Sequence, residues 1–254
     1  MYDDFAYRGR HCTELGVHAF WGESGAVGAK LVRNLYDLPG GVQTEIGETA
    51  YAAWTRRLTL APVSGREMDA AMVRAVLGWL CGGTGCLIAD DDPERMWAAR
   101  FDGGATLDNR SWPDGCLQIG ATMLGTAMGV RLQRFTASTS GGKALIRTQL
   151  DSQLPAPLDV TIACTSGTIT SAAITCGART LELDGLGLTA GQTLRYSAGT
   201  QAEAPELRVG GVLDFSAARR WQRLMLWPRT ANVRITLAGG EADVAASARG
   251  RYLA

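Results

Sequence analysis

Between Trp54 and Leu60 apolar and polar positions alternate. Trp54, Arg56, Leu58 and Leu60 fall on one face of an extended segment and Thr55, Arg57 and Thr59 on the other, the period of a strand whose two faces meet different surroundings. The same period returns in Trp97, Ala99 and Phe101 against Ala98 and Arg100, and again from Cys116 to Leu124. Phe5 to Arg10 and Val17 to Trp21 read as short strands around a glycine turn, and Leu31 to Tyr36 as another strand, followed by a type II turn at Leu38-Pro39-Gly40-Gly41. Helical spacing occurs in one stretch: Ser64 caps the chain, Glu67 returns the bond in a capping box, and Met68, Met72, Ala75 and Trp79 line a face suited to packing on a sheet. Gly82, Gly83 and Gly85 end that helix by releasing φ.

The chain then enters Leu87-Ile-Ala-Asp-Asp-Asp-Pro-Glu-Arg-Met-Trp97, a short apolar run, an acidic corner and an alternating segment. Pro93 fixes its own φ and pushes Asp92 toward extended geometry, so Asp90 to Glu94 is expected to be the tight turn of a hairpin. Trp97 and Phe101 are then expected to be core or subunit-contact anchors. Phe101 to Gly115, rich in Gly, Asp and Asn, is expected to be a loop. After Gly125 the texture changes to short Thr-, Ser- and Gly-rich strands at Ala144–Gln149, Leu158–Cys164, Thr168–Cys176, Thr180–Leu183, Val209–Phe215 and Val233–Leu237. Regular spacing without a second helical period predicts a β-sandwich. Thr136 to Gly142 reads as a linker or hairpin tip.

Length changes the picture by pointing to two domains, since 254 residues exceed the roughly 150 of a typical one. They are placed at 1–128 and 129–254. Charge cancels overall, 25 basic against 25 acidic residues, which argues against a dedicated nucleic-acid or anionic-membrane binder. The halves differ: residues 1–128 hold 11 Lys+Arg and 16 Asp+Glu (net −5), and residues 129–254 hold 14 and 9 (net +5). No apolar run approaches the roughly 20 residues of a membrane span, and the acidic start Met1-Tyr-Asp-Asp-Phe5 is unlike a secretory signal. Six cysteines without a Cys-x-x-Cys pair are expected to be buried thiols rather than disulfides or zinc ligands.

Candidate chemistry is sparse. Gly22 to Lys30 imitates a phosphate-binding loop but lacks the Gly-Lys-Ser/Thr ending and the strand-to-helix context. Read as a calcium loop from Asp90, the register puts Arg95 where glycine is required and Phe101 where the bidentate glutamate belongs. His11 and His18 are the two imidazoles, without a Gly-x-Ser-x-Gly elbow to serve, and are expected to be packing or surface residues.

Phe5-Ala-Tyr-Arg-Gly9 with Glu14-Leu-Gly-Val17, the Leu38 to Gly41 turn, a helix ending Leu77-Gly-Trp-Leu80 and the Leu87 to Trp97 hairpin, in this order and spacing, resemble the distal tail protein family of long-tailed, non-contractile bacteriophages. Gln149-Leu-Asp-Ser-Gln-Leu-Pro-Ala-Pro157 before Thr/Ser-rich strands is similar to that family's lead-in to a C-terminal galectin-like sandwich. The resemblance implies a mainly β chain: an N-terminal split-barrel-like β domain with one packed α-helix, then the sandwich. It implies a homo-hexameric baseplate-hub ring at the virion tail tip, assembled in the host cytoplasm. Its partners would be the tail tube protein, the tape measure protein, a tail-tip lysin or fibre protein and a receptor-binding protein. Genomic DNA would pass through without specific binding, with no membrane insertion, cofactor, metal or catalysis. Trp79, Pro93, Trp97 and Phe101 would then be packing or ring-contact residues. Two rivals come from other classes: sugar binding by the sandwich, with Trp221 and Trp227 as stacking platforms, and a tail-associated cell-wall hydrolase.

Overall fold

The computed structural model describes residues 2–22, 29–32, 35–38, 42–45, 50–109, 114–200 and 203–253. The Pro39 to Gly41 turn and most of the Gly22 to Lys30 loop lie outside them. The chain is mostly antiparallel β with one α-helix among the described residues. It divides into two compact units, Met1–Val130 and Arg131–Tyr252.

In the N-terminal unit, β1 (Phe5–Tyr7), β2 (Val17–Trp21), β3 (Trp54–Pro62), β4 (Gly85–Ala89), β5 (Arg95–Asp108) and β6 (Cys116–Met123) pair in the order β2-β3-β6-β5-β4-β1. Register explains the alternation: Leu58 sits opposite Ile119, Leu60 opposite Leu117 and Phe101 opposite Ala121, all buried on one face. The two ends of this order meet through the residues before β1. Asp3 N–H donates to Ala19 O (2.9 Å), Ala19 N–H to Asp4 Oδ1 (2.8 Å) and Trp21 N–H to Asp3 Oδ2 (3.1 Å), so the sheet curls into a barrel sealed partly by carboxylates.

Three expectations need correction. The helix α1 spans Ala70–Leu80, beginning six residues after Ser64. Gly65 holds φ +81°, which no helix accepts, and Met68 N–H is bonded to Asp114 O, so Asp69 becomes the cap instead, accepting from Met72 N–H at 2.7 Å. Its packed face runs through Met72, Val76, Trp79 and Leu80, while Ala75 is exposed. Asp69→Ala is expected to lower stability by about 1 kcal/mol in chemical denaturation, whereas Ser64→Ala should be near neutral. Second, Phe101 to Asp108 continues β5; the register shifts between Asp102 and Thr106, and Gly104 at φ +108° makes a bulge, not a loop. Third, Phe5 to Arg10 is not one strand: Arg8 and Gly9, both at positive φ, turn the chain back so that Tyr7 faces Arg10.

In the C-terminal unit the principal strands are β7 (Ala127–Ser138, from residue 131 onward), β8 (Lys143–Leu150), β9 (Asp159–Cys176), β10 (Arg179–Thr189), β11 (Thr193–Ser197), β12 (Glu206–Val209) and β13 (Arg229–Tyr252). Ala144–Gln149 and Thr180–Leu183 lie within β8 and β10 as expected, but Val209–Phe215 is not one strand, because Gly210 and Gly211 at positive φ fold Val212 back onto Val209. The other three expected strands belong to two long bent ones. β9 unites Leu158–Cys164 with Thr168–Cys176, and β13 runs far beyond Val233–Leu237. Each serves both layers: one sheet is β7-β13-β9-β11-β12, the other β8-β13-β9-β10, with Ile162, Ile169, Ile174, Leu194 and Ile235 buried between them. The bend falls at register shifts near Ser166 to Ser171, opposite Gly239 and Gly240. Glu241 secures the neighbouring turn from β7 to β8, accepting from Thr139 Oγ1 (2.5 Å) and Gly142 N–H (3.0 Å). Ser140, bridged to Lys143, makes residues 140–143 a tight turn that carries the chain from one sheet to the other, not the tip of a hairpin, since β7 and β8 each pair with β13 and not with one another.

Candidate functional site

Trp79, Trp97, Phe101 and Pro93 occupy three settings. Trp79 and Phe101 belong to one aromatic nest: Phe5 stacks on both (5.4 Å and 6.0 Å between centroids), and Tyr7 meets both edge-on (6.1 Å and 4.8 Å). Trp79 Nε1–H donates to Tyr7 O at 2.9 Å, which ties α1 to β1. The Tyr7 hydroxyl, 2.5 Å from Gly83 O, joins β1 to the chain just beyond α1, and burial raises its pKa. Trp97, opposite Leu87, is half-buried and packs at the margin of the same core.

Pro93 stands in the β4–β5 corner. Asp92 N–H donates to Ala89 O and Arg95 N–H to Asp92 O, while Asp92 pairs with Arg95 at 3.4 Å and Asp90 with His11 at 3.1 Å. Among the described residues no three His, Cys, Asp or Glu side chains converge to hold a metal ion. On the exposed face of the barrel sheet, Arg100 and Thr122 both donate to Asp102, and Thr122 first and Arg100 with it hold that carboxyl below its usual range. With Arg57 in the row Arg57-Gly120-Asp102, that face is of mixed charge.

Both imidazoles serve architecture. His11 caps a 3-10 turn, Cys12–Leu15, in a reciprocal box with Glu14, and His18 Nδ1 lies 2.8 Å from Asp4 Oδ2 beneath a stacked Tyr2 ring at 3.8 Å. Burial works to raise the Asp4 carboxyl, but the Ala19 amide, then His18 and Cys12, outweigh it and hold the pKa below the usual carboxylate range. The Cys12 thiol contacts Asp4 rather than an imidazole, and burial first, with Asp4 and Asp90 nearby, pushes it up to about 12. It is therefore no thiolate nucleophile at neutral pH. Because the folded Asp4 pKa lies below its unfolded value, the stability it contributes is complete above the ordinary carboxylate range and is lost as pH falls through the lowered value. Asp4→Asn should melt lower at neutral pH and lose less than the parent on further acidification, as read in a series of melting curves.

Of the six cysteines, Cys12, Cys116, Cys164 and Cys176 are buried as expected, whereas Cys86 is half-buried with its Sγ 3.1 Å from Met96 Sδ and Cys81, just past the end of α1, is exposed. In the C-terminal unit a hollow of about 940 Å³ is lined by Asp159, Thr161, Arg195, Glu206, Arg208 and Ser247, among others. Tyr196 also lines it but is 1% exposed, and the exposed Trp221 and Trp227 do not. Hollow and indole faces thus do not combine into a stacking site for a sugar ring. Sequence reasoning missed His11 as a cap, although the spacing His11-x-x-Glu14 is that of a capping box; nothing local signals the Asp3 and Asp4 seam.

No protein-family model and no curated protein matches the sequence. Solved structures do match. The Dit protein of phage SPP1, described as a paradigm of the hub adsorption apparatus in phages infecting Gram-positive bacteria, aligns over 100% of both chains with a TM-score of 0.66 at 11% identity. The fold is that of SPP1 Dit. Chains of the phage P2 baseplate in its activated conformation, with calcium or with strontium, align over 99% of both chains with TM-scores of 0.51 and 0.52 at 8% identity. At such identities the likeness is one of fold: a mainly β N-terminal unit with one packed helix, then a galectin-like sandwich.

Proposed function

We propose that this protein is a structural component of a phage or prophage tail, the distal tail protein of a baseplate hub. Six copies close head-to-tail into a ring between tail tube and tail tip. The N-terminal barrel forms the belt around the DNA channel, and the sandwich carries adhesion parts outward. Trp97, half-buried at the rim of the barrel core, is the proposed ring-contact anchor, while Trp79 and Phe101 act from inside by fixing the barrel's shape. The protein does no catalysis in this role. The observation that carries the proposal is the full-length match to SPP1 Dit, which spans both units in one chain.

Light scattering across a concentration series tests it. The expected species has six times the 27.0 kDa chain mass. Trp97→Ala is expected to keep the fold by circular dichroism while raising the concentration needed for assembly about tenfold or more. A single-chain mass at every concentration, for both proteins, would remove the support for self-assembly.

A further inference from the structure

β8 is an open edge. All eight residues from Lys143 to Leu150 pair with β13 (Lys143 with Thr236, Leu145 with Arg234, Arg147 with Asn232), and no strand pairs its other side among the described residues. The strand is regular, with strict alternation of exposed and buried residues and no proline, glycine or bulge within it. Lys143 N–H and C=O are taken by Ser140, so the open row of backbone N–H and C=O groups runs from Leu145 onward, and proteins usually blunt such a row unless it is used.

Its exposed face is cationic around an apolar centre. Lys143, Arg147 and, across the ladder from Leu145, Arg234 all face solvent, and Leu145 is 46% exposed. None of the three cations is ion-paired among the described residues. The carboxylates of this sheet lie toward the opposite edge and are engaged: Glu182 with Arg220 and Asp184 with Arg219. In the row Lys143-Thr236-Ala173-Glu182, three strand spacings separate Lys143 from Glu182, about 14 Å, beyond a direct pair.

We infer that β8 is a docking edge for an extended acidic segment of a partner protein, which adds as a further strand. Its backbone continues the ladder, its acidic residues meet Lys143, Arg147 and Arg234, and an apolar residue between them covers Leu145. A second copy of β8 is the wrong occupant because it would bring its own Lys143 and Arg147 to a face that already holds three cations. A nucleic acid would answer the charge but use neither the backbone row nor Leu145.

The test uses the full chain and a fluorescent synthetic peptide of alternating Glu and Val, read by anisotropy. Binding is expected, with slowed amide exchange within residues 145–150. Lys143→Glu/Arg147→Glu should weaken it about tenfold or more at an unchanged melting temperature. Methylating alternate peptide nitrogens should abolish it, and a Lys-for-Glu peptide should not bind. The inference is overturned by equal binding of the methylated or lysine peptide, by no binding of the Glu/Val peptide, or by tighter binding of a single-stranded oligonucleotide with the same dependence on Lys143 and Arg147. It is also overturned if the double variant loses a self-association that the parent shows, which would make the occupant a second copy.

Discussion

Phe101→Ala is expected to destabilise the N-terminal unit by about 3–5 kcal/mol in denaturant titration, a cost set by lost burial plus the cavity left behind. Phe101 is 4% exposed and touches both Phe5 and Tyr7, and those two rings also hold Trp79, so the hole opens where β1, β5 and α1 meet. The surrounding rings are fixed by more than packing. Tyr7 gives its hydroxyl to backbone carbonyls and its own carbonyl to the Trp79 indole, so the nest cannot easily collapse into the space. Asp91→Asn, in the exposed corner, should change stability by less than about 0.5 kcal/mol.

Gly239→Ala is the second large effect, expected at about 3 kcal/mol or more and confined to the sandwich. At φ +90° a Cβ would run into Thr168 O, and a Cβ on Gly167, which pairs with Gly240, would stand 2.6 Å from Gly239 O. Both obstacles are backbone at the bend where β9 and β13 pass from one sheet to the other, so neither can swing aside. Gly185→Ala separates clash from conformation. Its φ is +70° but nothing lies within 4 Å, and it should lose only about 1–2 kcal/mol. Calorimetry of both variants against the parent measures the difference.

These positions show how far the sequence can be read. Trp54 to Leu60 and Cys116 to Leu124 were legible because a half-buried strand repeats every two residues, and the structure gives them that register. The Asp90 to Glu94 corner was legible because proline restricts its own φ and that of its neighbour. Helix onset was not: Ser64 and Glu67 have capping-box spacing, yet Gly65's φ and the Met68 bond to Asp114, a residue from the distant β5–β6 connection, move the start to Ala70. The length of β9 and β13 was equally hidden, because the glycines that end a short strand also let a long one bend. The sharing of Phe5 and Tyr7 by Trp79 and Phe101 depends on contacts between residues 72 to 96 positions apart, which no local pattern encodes.

The central claim is that this fold closes into a six-membered hub ring, and electron microscopy of the purified full chain addresses it most directly. Class averages are expected to show six-fold rings with an open centre and peripheral lobes. Particles that average to a two-fold assembly or to an open filament would contradict it.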